Sequence, residues 1–165
     1  MNKHKRIILV GPSAAGKNYI RQKFVDKGFK GDVSYTSRSP REGEADGVDY
    51  NFISKDEFKV RITDNLFYEW VQYGDNYYGT GLFEWENADI FIMETDGISK
   101  ILPIHRPECL IIFVNTPLYK VRIPRMEKRG WNDKKIIERS KIDAEKFRDF
   151  KDFDLEISSV SMNIF

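Results

Sequence analysis

Cysteine is almost absent from this chain, with Cys109 the single one. A lone cysteine closes no internal disulfide, so a reducing, cytoplasmic setting is expected. An excess of charge of one sign is also missing. The chain carries 27 Lys and Arg against 26 Asp and Glu, a net charge of +1. That balance gives no reason to expect nucleic acid or an anionic membrane as a partner. Long apolar runs are lacking too. The basic opening "MNKHKRIILVGP" holds an uninterrupted apolar run only from Ile7 to Val10. This is too short for a signal peptide or a membrane span. There is no internal repeat and no low-complexity linker. The two histidines, His4 and His105, have no partner pattern and receive no role. What remains is an ordinary globular composition, 41% hydrophobic over 165 residues. That length supports one domain with a sizeable core.

Arg6 to Val10 reads as a short buried strand ending at Gly11. Asn18 to Lys27 reads as a helix stopped by Gly28. A turn-rich stretch follows, in which "PREGEADG" packs proline, glycine and acids together as a loop. "SKDE" from Ser54 is a capping box and predicts a helix from Lys55 to Asp64. "NLFYEWVQYGDNYYGT" predicts two short strands around a Gly74-Asp75 turn. "ADIFIME" and "CLIIFV" read as central strands of a parallel sheet, and the latter buries the Cys109 thiol. A short helix is expected from Gly97 to His105, ending before Pro107. Pro124 should end or kink any helix before it. Asn132 caps a helix from Asp133 to Phe150. "FDLEISSV" is the last strand. Strands alternating with helices give an α/β fold with a parallel sheet. The aromatic stretch from Ser34 to Gly79 reads as an insertion at the carboxyl edge, where such folds bind ligands.

The most conspicuous loop is "GPSAAGKN": Gly11, Pro12, Ser13, Ala14, Ala15, Gly16, Lys17 and Asn18. Glycines let successive N–H groups turn inward on phosphate oxygens, and the following helix adds its positive end. Lys17 brings a charge for β- and γ-phosphates. The bland alternative is an ordinary glycine turn; placement between strand and helix favours the nucleotide site. Two positions depart from the pattern. Asn18 stands where Ser or Thr normally meets magnesium, although its amide oxygen is still a hard ligand. Ala14 would be strained if its φ is positive.

A second group lies in "VSYTSRSPREGEADGVDYNF" and beyond. Arg38 and Arg41 flank a stiff Ser-Pro turn and suit the dianion of a nucleoside monophosphate. Tyr50 and Tyr78 can donate hydroxyls to the same phosphate. Glu69 offers two acceptors to the adjacent N1–H and 2-amino donors of guanine. Ser34 and Thr80 can donate to the guanine O6. Taken singly, each of these aromatic and acidic residues is as readily a rim or loop residue.

Together they resemble the guanylate kinase family. The matching stretches are "GPSAAGK", "VSYTSRSPREGEADGVDYNFISKDEF", "FYEW" and "NYYGT". The resemblance implies GMP contacts at Ser34, Arg38, Arg41, Tyr50, Glu69, Tyr78 and Thr80. "METDGI" is similar to the family's acidic strand end and brings in Glu94 or Asp96, depending on register. "RMEKRGWNDKKIIERSKIDAEKF" resembles the lid, with Arg129 and Arg139 as phosphate-clamping arginines and Arg125 as a third basic position. Ser158-Ser159 replaces an Asn-Asp pair near the adenine. The implied layout is a core of residues 1–33, 89–124 and 150–165, a GMP-binding region at 34–88 and a helical lid at 125–149. The implied activity is ATP-dependent phosphoryl transfer to GMP or dGMP, with Mg2+ bound alongside ATP and Asn18 as its protein ligand. ATP and GMP or dGMP are then the partners. A guanylate-kinase-like binding module with weak or no catalysis stays open beside it. A kinase for another base is opposed by Glu69, and a GTPase by the lack of an Asn-Lys-x-Asp motif.

Overall fold

The computed structural model describes residues 5–160; His4 lies outside them. The chain opens with β1 (Arg6–Val10) and α1 (Lys17–Val25). Two short strands follow, β2 (Tyr35–Thr36) and β3 (Asn51–Phe52), and then α2 (Lys55–Thr63). The hairpin of β4 (Phe67–Tyr73) and β5 (Asn76–Gly81) leads into α3 (Leu82–Asn87). After β6 (Ile90–Ile92) come the single turn α4 (Thr95–Ile98) and β7 (Cys109–Val114). The closing elements are α5 (Ile123–Lys128), α6 (Asp133–Phe147) and β8 (Leu155–Ile157).

Two four-stranded sheets result. The first runs β6-β1-β7-β8 and is parallel throughout; the second runs β3-β2-β5-β4. In the first sheet, alternate residues face opposite ways. Ile8, Val10, Ile111 and Phe113 enter one apolar cluster, while Leu9, Ile112 and Val114 enter another. A strand buried on both faces must be apolar at every position, which explains the unbroken runs in β1 and β7. The second sheet is joined to the first through aromatics. Tyr68 of β4 stacks on Trp85 of α3 at a centroid distance of 3.7 Å, and Trp85 reaches Phe91 of β6. The Tyr68 hydroxyl also lies 2.9 Å from His105 Nδ1, which gives that histidine a packing role.

Local signals held where they are self-contained. Ser54 accepts the Glu57 N–H at 3.1 Å, and Asn132 accepts that of Lys135 at 2.9 Å. Three expectations need correction. Strand β6 lies at an edge of its sheet; beyond it stands only an isolated bridge to Gly31. The helix expected at Gly97–His105 is α4, which starts at Thr95 and stops at Ile98; Pro107 sits in a separate 3-10 turn, Arg106–Glu108. Helix α6 ends at Phe147, three residues early. Pro124 acts as expected: the π-helical turn Leu118–Arg122 ends just before it, and the chain continues into α5 with Pro124 in its first turn.

Asp32 lies on the seam between the sheets. Its N–H donates to Ile90 O at 2.8 Å, and its side chain is 5% exposed. The Ser34 hydroxyl donates to Oδ2, whereas Oδ1 has no partner. Burial raises its pKa from 3.8 to about 7, against the opposing pull of Ser34 and Arg21 and with the support of Glu84 and Glu69. A raised folded-state pKa means that between the two values the fold holds a proton the unfolded chain lacks, so stability falls as pH rises from 3.8 through about 7 and then levels off. Asp32→Asn should therefore raise the unfolding temperature by several degrees at pH of about 8 and by much less at pH of about 5. Thermal denaturation followed by circular dichroism at both pH values checks this; an equal shift at each would contradict it.

Candidate active site

The loop between β1 and α1 is shaped by steric limits. A Cβ on Gly11 would sit 2.5 Å from the Val114 carbonyl oxygen, so the chain can leave β1 against β7 only as glycine. Gly16 has φ 100° and Ala14 has φ 59°, the positive value that strains an L-residue. The Ala14 methyl packs with Met126 and Ile136, which offsets part of that cost. Lys17 folds back on its own loop: Nζ donates to Gly11 O at 2.5 Å and Pro12 O at 3.1 Å. Burial lowers its pKa to about 8; Glu94 and Asp143 pull it up, while Arg139 and Arg122 push it down.

Ser13 to Asn18 line a cavity of about 490 Å³. Gly11 and Pro12 stand behind it and contribute the carbonyls that hold Lys17. Asn18 is exposed on the first turn of α1 and also borders a smaller cavity of about 80 Å³ with Asp32 and Ser34.

Three arginines from the stretch 125–139, Arg125, Arg129 and Arg139, reach the main cavity. Arg139 lies over the Tyr73 ring at 4.4 Å. Arg125 donates to Ala14 O and Ser159 Oγ, both at 3.0 Å, which ties α5 and the end of the chain to the loop. Arg129 is at the rim, where partial desolvation and the neighbouring Arg41 and Arg125 push its pKa down. Like charges crowded in this way attract an anion.

Arg38, Arg41, Tyr50, Tyr78 and Glu69 line the same cavity. Arg38 is held by Glu44, at 2.6 and 2.8 Å, and its Nε has no partner. The Arg41 N–H donates to the same carboxylate at 2.8 Å. Tyr50 and Tyr78 pack edge to face at 6.2 Å. Burial pushes Tyr50 up to about 12, so it remains a hydroxyl donor.

Glu69 owes its place to a slip in the hairpin register between Phe67 and Glu69, which sets it opposite Thr80. Its Oε1 accepts the Thr80 N–H at 3.2 Å and hydroxyl at 2.9 Å. Oε2 has no hydrogen-bond partner among the described residues, and Glu69 lines the cavity. A Cβ on Gly97 would stand 2.8 Å from Oε2, so glycine there leaves the carboxylate room. Burial raises the Glu69 pKa, and the Thr80 contacts oppose that.

Two placements differ from the sequence expectation. Thr80 does not line the cavity; its hydroxyl is spent on Glu69, because a buried carboxylate needs donors. The Ser34 hydroxyl likewise points to Asp32, although Ser34 does line the cavity. Of the two acids in "METD", Glu94 lies in the cavity and pairs with Lys146 at 2.7 Å. Asp96 is exposed in the first turn of α4, outside the cavity. Burial would raise Glu94, but Lys17 and Lys146 hold its pKa below the usual value. Glu44, Arg122, Asp143 and Lys146 were not singled out from sequence. The one available signal was the i,i+4 spacing of Arg139 and Asp143, which in sequence looks like any solvated ion pair.

The chain that builds this cavity matches known proteins in sequence and in fold. The model of the family described as guanylate kinase matches residues 3–163. The guanylate kinase of Helicobacter pylori (strain ATCC 700392 / 26695) is 37% identical over 155 residues, covering 88% of this chain and 74% of that protein. That of Bacillus subtilis (strain 168) is 39% identical over 141 residues, covering 80% and 69%. A crystal structure of guanylate kinase from Anaplasma phagocytophilum superposes with a TM-score of 0.71 at 19% identity, over 96% of this chain and 78% of that one, which is a likeness of fold. With a family match over nearly its whole length, a shared fold and a cavity built from the residues that first pointed to the resemblance, the chain belongs to the guanylate kinase family.

Proposed function

We propose that the protein transfers the γ-phosphoryl group of ATP to the phosphate of GMP or dGMP, giving ADP and GDP or dGDP. The observation that carries this reading is one cavity lined both by Lys17, Asn18 and Arg139 and by Arg38, Tyr50, Tyr78 and Glu69. The reaction needs alignment and charge neutralisation more than acid–base chemistry, since the acceptor is already an anion. Gly11 to Asn18 hold the ATP phosphates, with Lys17 on the β- and γ-groups. Arg129 and Arg139 clamp the group in transit. Arg38, Arg41, Tyr50 and Tyr78 take the GMP phosphate, which replaces Glu44 as the anion beside Arg38. The open Oε2 of Glu69 meets the guanine donors, and Thr80 holds that carboxylate in place. Ser34 and Glu94 border the same space. Residues 34–88 then form the acceptor region, residues 125–149 the lid, and the remainder the core. A cytoplasmic setting suits the single buried thiol.

Mg2+ fits the donor chemistry on hand: the Asn18 amide oxygen and the Glu94 carboxylate are hard ligands, and this ion keeps several waters. Among the described residues no group of three or more His, Cys, Asp or Glu is placed to hold a metal, so the ion would share few protein ligands with the substrate phosphates. When bound it neutralises charge on the β- and γ-phosphates.

A coupled ADP-release assay with GMP, dGMP, AMP, UMP and CMP tests the reading. GMP and dGMP should be turned over and the others should not. Glu69→Gln should lower kcat/KM for GMP by about 10- to 100-fold, because a charge-assisted bond is worth ~1.5–3 kcal/mol. ATP affinity should stay the same. Equal rates with AMP and GMP would rule the reading out.

The Lys17 pKa of about 8 predicts a pH dependence. Only the ammonium attracts phosphates, so ATP affinity should fall several-fold from pH of about 7 to about 9. Calorimetric titration at both values measures it. Lys17→Met should bind ATP weakly and lose the pH dependence; a profile retained in that variant would point to another group.

Asn18 carries its oxygen about one bond further out than serine would, and Mg2+ demands near-octahedral geometry at ~2.0–2.1 Å. Asn18→Ser should therefore lower the magnesium concentration for half-maximal rate and leave GMP binding alone. If wild type transfers nothing at any magnesium concentration and the variant does, the natural chain is a binding module.

A further inference from the structure

We propose that Asp143 is a positioning residue for phosphoryl transfer, holding Arg139 against Ser13 of the phosphate loop before any substrate arrives. The proposal rests on the kinase reading above.

Asp143 belongs to α6 and is only 2% exposed. Its Oδ2 accepts the Ser13 N–H at 2.9 Å and Arg122 Nη2 at 2.5 Å. Its Oδ1 lies 3.1 Å from Arg139 Nε and 3.5 Å from Ser13 Oγ. Arg122 Nε donates to the Ser13 carbonyl at 2.7 Å, and Arg139 Nε also donates to the Ser13 hydroxyl. The amide, carbonyl and hydroxyl of one phosphate-loop residue are thus all engaged, by side chains from two other parts of the chain. A solvated ion pair on a helix surface makes no such contacts.

The charges explain what the arrangement achieves. Two guanidiniums share one carboxylate, which leaves one positive charge uncompensated. Arg122 is 7% exposed and does not line the cavity. Arg139 does line it, so the excess charge is presented there. The Arg139 guanidinium is held along its Nε edge by Asp143 and Ser13, and its face lies on Tyr73. Nη1 and Nη2 have no hydrogen-bond partner among the described residues. A planar fork fixed at its back edge, with the front edge free, is prepared for an anionic oxygen pair. Both Asp143 and Arg139 act on Lys17, and Arg139 and Lys17 line the same cavity. Fixing a long side chain in advance removes an ordering cost from the reaction step. The competing explanation is that Asp143 only neutralises buried Arg122 and has no part in the rate.

The test compares kcat and KM for GMP in wild type, Asp143→Asn, Arg139→Ala and the double variant. Asp143→Asn should lose about tenfold or more in kcat, with KM for GMP within about twofold, since the acceptor contacts lie elsewhere. In the double variant the aspartate change should add nothing to the loss from Arg139→Ala, because the residue acts through that arginine. Arg122→Met/Asp143→Asn removes the buried cation with the anion and so keeps the charge balance; it should fold and show the same loss of kcat. This pair decides the matter if Asp143→Asn alone does not fold. Full kcat in the pair variant, losses that multiply in the cycle, or a change in KM alone would overturn the proposal and leave the kinase reading standing. A wild-type protein that transfers nothing to GMP overturns both.

Discussion

A lysine ammonium taken out of water is the constraint around which this site is arranged. Lys17 has lost hydration, and its nearest compensation is a pair of carbonyls from its own loop. Carbonyl dipoles alone do not balance a full charge, so carboxylates must stand near enough to be felt. Glu94 comes from the chain beyond β6 and Asp143 from α6. Each carboxylate then needs a cation of its own: Lys146 for the first, Arg122 and Arg139 for the second. The end of β6, the loop after β1 and α6 are bound together by this alternation of sign. Substrate phosphates entering the cavity would join an existing charge lattice.

The acceptor end follows different physics. Its sheet is held to the core by aromatic stacking through Tyr68, Trp85 and Phe91, which is non-polar and tolerant of small shifts. Its polar residues are organised locally, by Glu44 within the loop and by Thr80 across the hairpin. One group of cavity residues is therefore fixed by long-range ion pairs and the other by short-range hydrogen bonds. A bisubstrate enzyme gains from that division, since the two ligands must each be gripped and yet brought into line.

Much of this was legible in the sequence, and the exceptions share a cause. β1, the 67–81 hairpin and the caps at Ser54 and Asn132 depend on a few neighbouring residues, and each was found within a residue or two. α3, α4 and the helical run from Leu118 to Lys128 are short segments whose ends are set by packing, so local pattern did not mark the first and last and gave α4 the wrong bounds. In the site, Lys17, Glu69 and the arginines stood out through their motif. Glu44 and Asp143 did not, because a buried acid and a solvated one look alike in a charged stretch; only the fold tells them apart.

The lone thiol gives the protein an experimental convenience. Cys109 is fully buried in β7, burial lifts its pKa to about 11, and its Sγ rests 3.3 Å from the His105 carbonyl oxygen. Thiolate is the reactive form, so alkylating reagents at neutral pH would find almost nothing to modify in the folded chain. Cysteines introduced at chosen surface points would then take up spin or fluorescent labels against a silent background. Distances between lid, acceptor sheet and core become measurable without first removing the native residue from a strand that cannot easily spare it.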